Sequence, residues 1–208
     1  VVLAAALAFL AGAVGFALGA AQDEPAWGSD LDAAFMLDMA HHHEQAVTMS
    51  ILATENATDL VTRNFARDVL IFQRYELGLM DAYLARMDVD RAEVDPDREA
   101  MGWMGTPVPL DEMVGLASDE ELDALRDARG LDADVLFLEL LIRHHEGGVH
   151  MAEDASVRAE APEVRRLAEY QATTQRAEIA EYRSALDRMV AARDAGEQPD
   201  RAPADLGS

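Results

Sequence analysis

The chain contains no cysteine and no lysine in its 208 residues. The missing thiols exclude a disulfide scaffold, thiolate catalysis and cysteine-based zinc or iron–sulfur sites. Any metal must therefore be held by His, Glu, Asp or Met. All 17 basic residues are arginine, which reads as the codon bias of a GC-rich genome rather than a functional device. They face 40 acidic residues, for a net charge of −23. Such a surface repels nucleic-acid phosphates and anionic headgroups, so no nucleic-acid partner is expected. Alternating strand-like runs are absent, as are a Gly-x-Ser-x-Gly turn, a phosphate-cradling glycine loop and a basic groove. With no nucleophile in sight, a non-enzymatic role is expected; a metal-dependent oxidase is the remaining catalytic alternative.

What is present favours helix: Ala, Leu, Met, Arg and Glu dominate, and the expected class is all-α. Residues 1–21 carry no polar side chain and are long enough to span a bilayer. They read as a membrane anchor, or as a signal segment cleaved near Gly19-Ala20-Ala21. Residues 22–29 read as a tether, and everything beyond lies outside the cytoplasm, in the cell envelope or secreted. Ser29 or Asp30 caps a first long helix to about Thr54, and a second runs from Leu60 to Met87. A segment rich in Pro and Gly follows. Ser118-Asp119-Glu120-Glu121 is a capping box that opens a short helix ended by Gly130. A third long helix spans Asp132 to Ala159, and Pro162 opens a fourth to Ala192. The tail 193–208 is expected to be disordered.

The first and third long helices are copies. Asp32, Phe35, His42, His43, Glu44, Val47 and Met49 recur as Asp134, Phe137, His144, His145, Glu146, Val149 and Met151, always 102 positions later. The register continues into the second and fourth helices, where Gln73 and Glu76 match Gln175 and Glu178. The unit is a helical hairpin used twice: repeat one at 30–88, a crossover at 89–131, repeat two at 132–192. One hairpin cannot bury its own apolar face, so the two should form one four-helix bundle.

On a helical wheel Phe35, Met39, His42, Ala46 and Met49 share a stripe, as do Phe137, Leu141, His144, Gly148 and Met151. His42 and His144 are thus expected in the core, His43 and His145 at its edge, and Glu44 and Glu146 outside. On the second helix Phe65, Val69, Phe72, Glu76, Met80 and Met87 form the inward stripe, with Gln73 beside Glu76. Glu178 and Gln175 hold the same places on the fourth. His41 and His150 lack a histidine partner in the repeat and are expected on the surface.

Buried charge must be paired or must hold a metal. One reading has Glu76 and Glu178 pair with the histidines and fix only register. The other is a metal site of His42, His43, His144 and His145, with Met49, Met151, Glu76 and Glu178 as ligands or as groups that orient them. Imidazole with nearby thioether in an exported, thiol-free chain makes copper the first choice, with another transition metal possible. Di-iron bundles use Glu-x-x-His motifs, whereas this chain has His-His-Glu and Gln-x-x-Glu, so ferritin-type oxidation is not supported. Met101-Gly102-Trp103-Met104-Gly105 reads as a plug over the bundle's end or as a second soft-cation holder.

Phe-x(6)-His-His-Glu-x(2)-Val-x-Met, followed about 30 residues on by Gln-x-x-Glu, resembles the exported bacterial proteins called domain of unknown function 305. The likeness covers residues 30–192. It implies a ferritin-like four-helix bundle of two similar hairpins, with functional His pairs, and some members of the family bind copper outside the cytoplasm. Glu44 and Glu146 depart from the glutamine common there, and Gln45-Ala46 and Gly147-Gly148 stand where Gly-Ala is usual. Two roles follow as expectations. The first is an envelope protein that binds copper. The second is a non-catalytic accessory subunit whose residues 1–21 dock in a membrane complex, such as an actinobacterial-type respiratory assembly.

Overall fold

The computed structural model describes residues 27–195. The predicted anchor, most of the tether and the tail beyond 195 lie outside the described residues. Within them the chain is all-α, with four long helices and one short one. They are α1 (Asp30–Asn56), α2 (Leu60–Ala85), α3 (Asp119–Asp127), α4 (Leu131–Arg158) and α5 (Pro162–Ala195). Among the described residues no helix is long and apolar enough to cross a membrane.

Each start has a chemical cause. Ser29 and Asp32 form a reciprocal capping box on α1, and Ser118 and Glu121 do the same on α3. The Asp59 side chain accepts from Val61 N and Thr62 N at the head of α2. At the end of the segment read as a tether, Trp27 packs on Tyr83 at 5.2 Å, and the Arg86 guanidinium lies over its ring at 3.9 Å. The short helix ends at Asp127, before Gly130. That glycine has φ +62° and opens α4 instead.

α1 packs on α2, α4 on α5, and α1 on α4, whereas α2 and α5 barely touch. The result is a four-helix bundle with one loose seam. Two aspartates tie the repeats together. Asp32, at the head of α1, accepts from Glu160 N at 3.0 Å and Ala161 N at 3.2 Å in the turn between α4 and α5. Asp134, at the head of α4, accepts from Thr58 N, Thr58 Oγ1 and Asp59 N in the turn between α1 and α2, all at 3.1–3.2 Å. α1 and α4 therefore run antiparallel, and each repeat caps the other's turn. Burial pushes the Asp134 carboxyl above its ordinary value, against the hydrogen bonds it receives.

The apolar core falls into two clusters. Along α1 the residues up to Ala40 belong to one and those from Ala46 to the other; along α4 the order is reversed. The His pairs sit at the change-over in both helices. Met36, Met39 and Met80 serve one cluster, whereas the equivalent Leu138, Leu141 and Tyr182 serve the other. Met49 and Met151, read from sequence as one symmetric pair, lie in different clusters.

The crossover breaks the symmetry. Two short strands, β1 (Glu99–Ala100) and β2 (Val108–Pro109), pair antiparallel where the sequence suggested only irregular chain. Between them Met101 is buried, and Trp103 and Met104 pack on the cluster holding Met36 and Met39, so the segment is a plug. Buried Asp38, whose counterpart is Leu140, holds it: the carboxylate accepts from Met101 N at 2.7 Å, Trp103 Nε1 at 2.8 Å and Arg98 at 2.5 Å. Further on, the backbone at Val114–Gly115 passes over Gly147. A Cβ there would come within 2.3 Å of Val114 O. This is why Gly147 stands where repeat one has Gln45, whose amide instead bonds Ala117 N at 2.7 Å and Ala117 O at 2.8 Å.

Candidate metal centre

Helical spacing brings four imidazoles to the middle of the bundle. His42 and His144 stack face to face, 3.6 Å between centroids and 27° between planes. His43 and His145 follow at 6.5 and 6.2 Å from their neighbours in sequence. All four are fully buried. The expectation that His43 and His145 sit at the edge is corrected here. The α1–α2 and α4–α5 contacts close over that side of the helices, which a wheel drawn for one helix does not contain.

His43 Nε2 meets Glu76 Oε2 at 2.8 Å, and His145 Nε2 meets Glu178 Oε2 at 3.0 Å. An ionised carboxylate only accepts, so Nε2 carries the proton in both pairs. In the neutral ring Nδ1 then holds the free lone pair. Neither Nδ1 has a partner, and both ring nitrogens of His42 and of His144 are also buried without one. Six ring nitrogens thus stand sealed from water and unpaired, where buried polar groups ordinarily find a partner. Burial, reinforced by neighbouring histidines, holds the His42 and His144 imidazoles well below the ordinary value of 6.5, so both are neutral.

The two carboxylates differ. Glu76 is buried and takes a second hydrogen bond from Gln171 Nε2 at 2.7 Å. The Glu178 side chain is 24% exposed. Sequence reasoning missed Gln171, although Leu167, Gln171, Gln175 and Tyr182 follow the inward spacing of α5. It also misplaced Phe72, which is 51% exposed; Gln73 takes the inward place, on the line Thr62, Ala66, Val69, Gln73, Glu76, Met80. Phe72 lies about 100° round the helix from Gln73, off the buried line. Met49 and Met151 are fully buried on α1 and α4, Glu44 and Glu146 are exposed and paired with Arg91 and Arg183, and His150 is exposed. His41 is half-buried rather than on the open surface. Tyr182 closes on His145 edge to face at 5.3 Å.

Among the described residues no three His, Asp or Glu side chains converge as a metal-holding group. The donor set nonetheless fits a metal in kind. A carboxylate bound to one ring nitrogen, leaving the other free, is how metal-ligating histidines are commonly oriented. His43 and His145 would offer Nδ1, His42 and His144 either nitrogen, and Glu76 and Glu178 would orient rather than ligate.

No curated protein matches the chain. Among solved structures, a candidate secreted protein of the DUF305 family from Streptomyces coelicolor is 31% identical. The alignment covers 83% of this chain and 98% of that one, with a TM-score of 0.70. A DUF305 fragment from Deinococcus radiodurans is 30% identical over 78% and 99% of the two chains, with a TM-score of 0.65. CopM in its Cu(I)-bound form is 27% identical over 76% and 96%, with a TM-score of 0.56. Residues 32–186 match the family described as domain of unknown function (DUF305), and the chain belongs to that family.

Proposed function

We propose that this chain is a cell-envelope protein that binds a soft transition-metal ion, copper first, and that it is a binding protein rather than an enzyme. The observation that carries the reading is the set of six buried, unpartnered ring nitrogens on His42, His43, His144 and His145. Leaving such groups unpaired costs about 1–3 kcal/mol each, a cost that a bound metal would offset. CopM, a relative solved with Cu(I) and with silver, supports the choice of a soft ion. The candidate secreted relative supports a place outside the cytoplasm. Two hairpins joined by one long crossover fit the ferritin-like arrangement. The metal would supply only its own affinity for imidazole, with thioether from Met151 or Met49 as further soft donors. The chain's residues would exclude water, hold Nε2 protonated through Glu76 and Glu178, and so aim Nδ1.

A second reading is a structural core in an accessory subunit of an envelope complex. The satisfied His43–Glu76 and His145–Glu178 pairs favour it, since they need no metal to be stable.

Equilibrium dialysis of the full chain against Cu(I), with metal analysis, decides between them. About one or two ions per chain are expected, with loss of binding in H42F/H144F, where two stacked phenyl rings preserve the packing. Undiminished copper in that double variant, with its helical content intact, would rule out this site.

A further inference from the structure

The loose seam of the bundle carries a groove. α2 supplies Glu76, Leu79 and Tyr83 at helical spacing, with Tyr75 beside them, and α5 supplies Glu163, Arg166, Leu167 and Tyr170. Between these two helices, which barely touch, the side chains line a space of about 300 Å³, at the small end of ligand-sized clefts. Three of the walls are tyrosine, and Tyr75 and Tyr170 are exposed aromatics that the core does not use. The Glu76 side chain is only 8% exposed, yet it lines the groove. Both of its hydrogen bonds, from His43 Nε2 at 2.8 Å and Gln171 Nε2 at 2.7 Å, go to Oε2. Oε1 accepts none among the described residues, although a carboxylate has room for about four donors. Gln171 Oε1, on the amide that bonds Glu76, is buried and also lacks a donor. Arg166, the cation among the lining residues, pairs with Glu163 at 3.5 Å rather than with Glu76. With a neutral imidazole and an amide as its partners, the Glu76 carboxylate has no counter-charge in contact.

We propose that this groove binds a primary amine with an apolar body, its ammonium on Glu76 Oε1 and its body between the tyrosine and leucine walls. An ammonium has three N–H donors and no acceptor, which matches an end of the groove that holds acceptors without donors. Its bond to a largely buried carboxylate is charge-assisted and stronger than one from a neutral donor. Tyrosine rings around a cation add attraction of their own, and Leu79 and Leu167 take the hydrocarbon or aryl body out of water. The net charge of −23 draws cations towards the surface and turns anions away. This site requires no metal in the centre: His43 and Gln171 hold Oε2 from the inner side and leave Oε1 to the amine.

The test is titration calorimetry of the metal-free full chain, in non-ionic detergent, with three probes: phenethylamine, its neutral isostere phenethyl alcohol, and its trimethylammonium analogue, which keeps the charge and has no N–H. The amine is expected to bind at about one per chain, about tenfold tighter than the alcohol and about fivefold tighter than the trimethylated probe. Y75A/Y170A, which changes only exposed side chains, is expected to bind the amine about fivefold more weakly with its helical content unchanged. E76Q keeps an acceptor for His43 and Gln171 but loses the charge, and is expected to bind amine and alcohol alike. An alcohol or a trimethylated probe that binds as well as the amine would overturn the site. So would an amine affinity unchanged in Y75A/Y170A, which would place the amine elsewhere on the acidic surface. No amine binding, with a parental dimer on gel filtration that Y75A/Y170A converts to monomer, would give this face to a second copy of the chain instead.

Discussion

His42 and His144 stack at 3.6 Å at the point where the two repeats meet, with every ring nitrogen buried and unpartnered. Two imidazolium ions could not share that contact, so packing of this kind requires neutral rings.

The pH dependence of stability follows. Both imidazoles have folded values well below 6.5, so below that pH the unfolded chain binds protons that the folded chain refuses. The stability these rings contribute is present in full above pH 6.5 and declines as pH falls below it, by up to about 1.4 kcal/mol per unit for each. The raised Asp134 carboxyl works in the opposite sense, between the unfolded value of 3.8 and its folded value. Urea midpoints of the metal-free chain at pH 7.5, 6.5 and 5.5 should decline between the last two, and H42F/H144F should flatten that decline. A flat parental profile would contradict neutral burial.

The reciprocal caps make a second prediction. Asp134→Ala leaves Thr58 N and Asp59 N without an acceptor in a partly buried turn. A loss of about 2–3 kcal/mol is expected, less for Asp134→Asn, which keeps one acceptor oxygen. Asp32→Ala strands Glu160 N and Ala161 N in the same way. The two turns lie at opposite ends of the bundle and share no partner, so the double variant should show the sum within about 0.5 kcal/mol. Denaturant unfolding of the four chains measures this; strong coupling would mean that the repeats do not cap each other independently.

Three glycines in helix interiors should respond to alanine in three different ways. At Gly147 the new Cβ meets Val114 O at 2.3 Å and Val114 C at 2.7 Å, backbone atoms that cannot swing aside, so a cost of at least about 2 kcal/mol is expected. At Gly148 the obstacle is Gln175 Oε1, the end of a flexible side chain, and the cost should be smaller. Gly78 meets nothing within 4 Å on α2, and there alanine should stabilise by about 0.5–1 kcal/mol. Thermal midpoints ranked Gly78→Ala above the parent, then Gly148→Ala, then Gly147→Ala, would bear this out.

Much of this was legible from spacing. Capping residues and Pro162 located the helices, because those signals are local. The 102-residue register identified the hairpin unit and the inward places of His42, His144 and Glu76. What was not legible came from neighbouring elements. His43 and His145 are buried because α2 and α5 close over them, and Phe72 is exposed because α2 presents Gln73 to α1. Asp38 and Gln45 gained their roles from a crossover whose path no periodicity describes.

By itself the sequence determined the helical class, the two-fold repeat and the chemical kind of the donors, since propensity, capping and residue identity act within a few positions along the chain. Tertiary structure alone decided that His42 stacks on His144, that Asp32 and Asp134 exchange turns, and that Glu76 is buried and bonded by Gln171 while Glu178 is partly exposed. Those outcomes depend on which helix lies against which, and groups 75 or more positions apart meet only when packing, which removes apolar surface from water, brings their helices together.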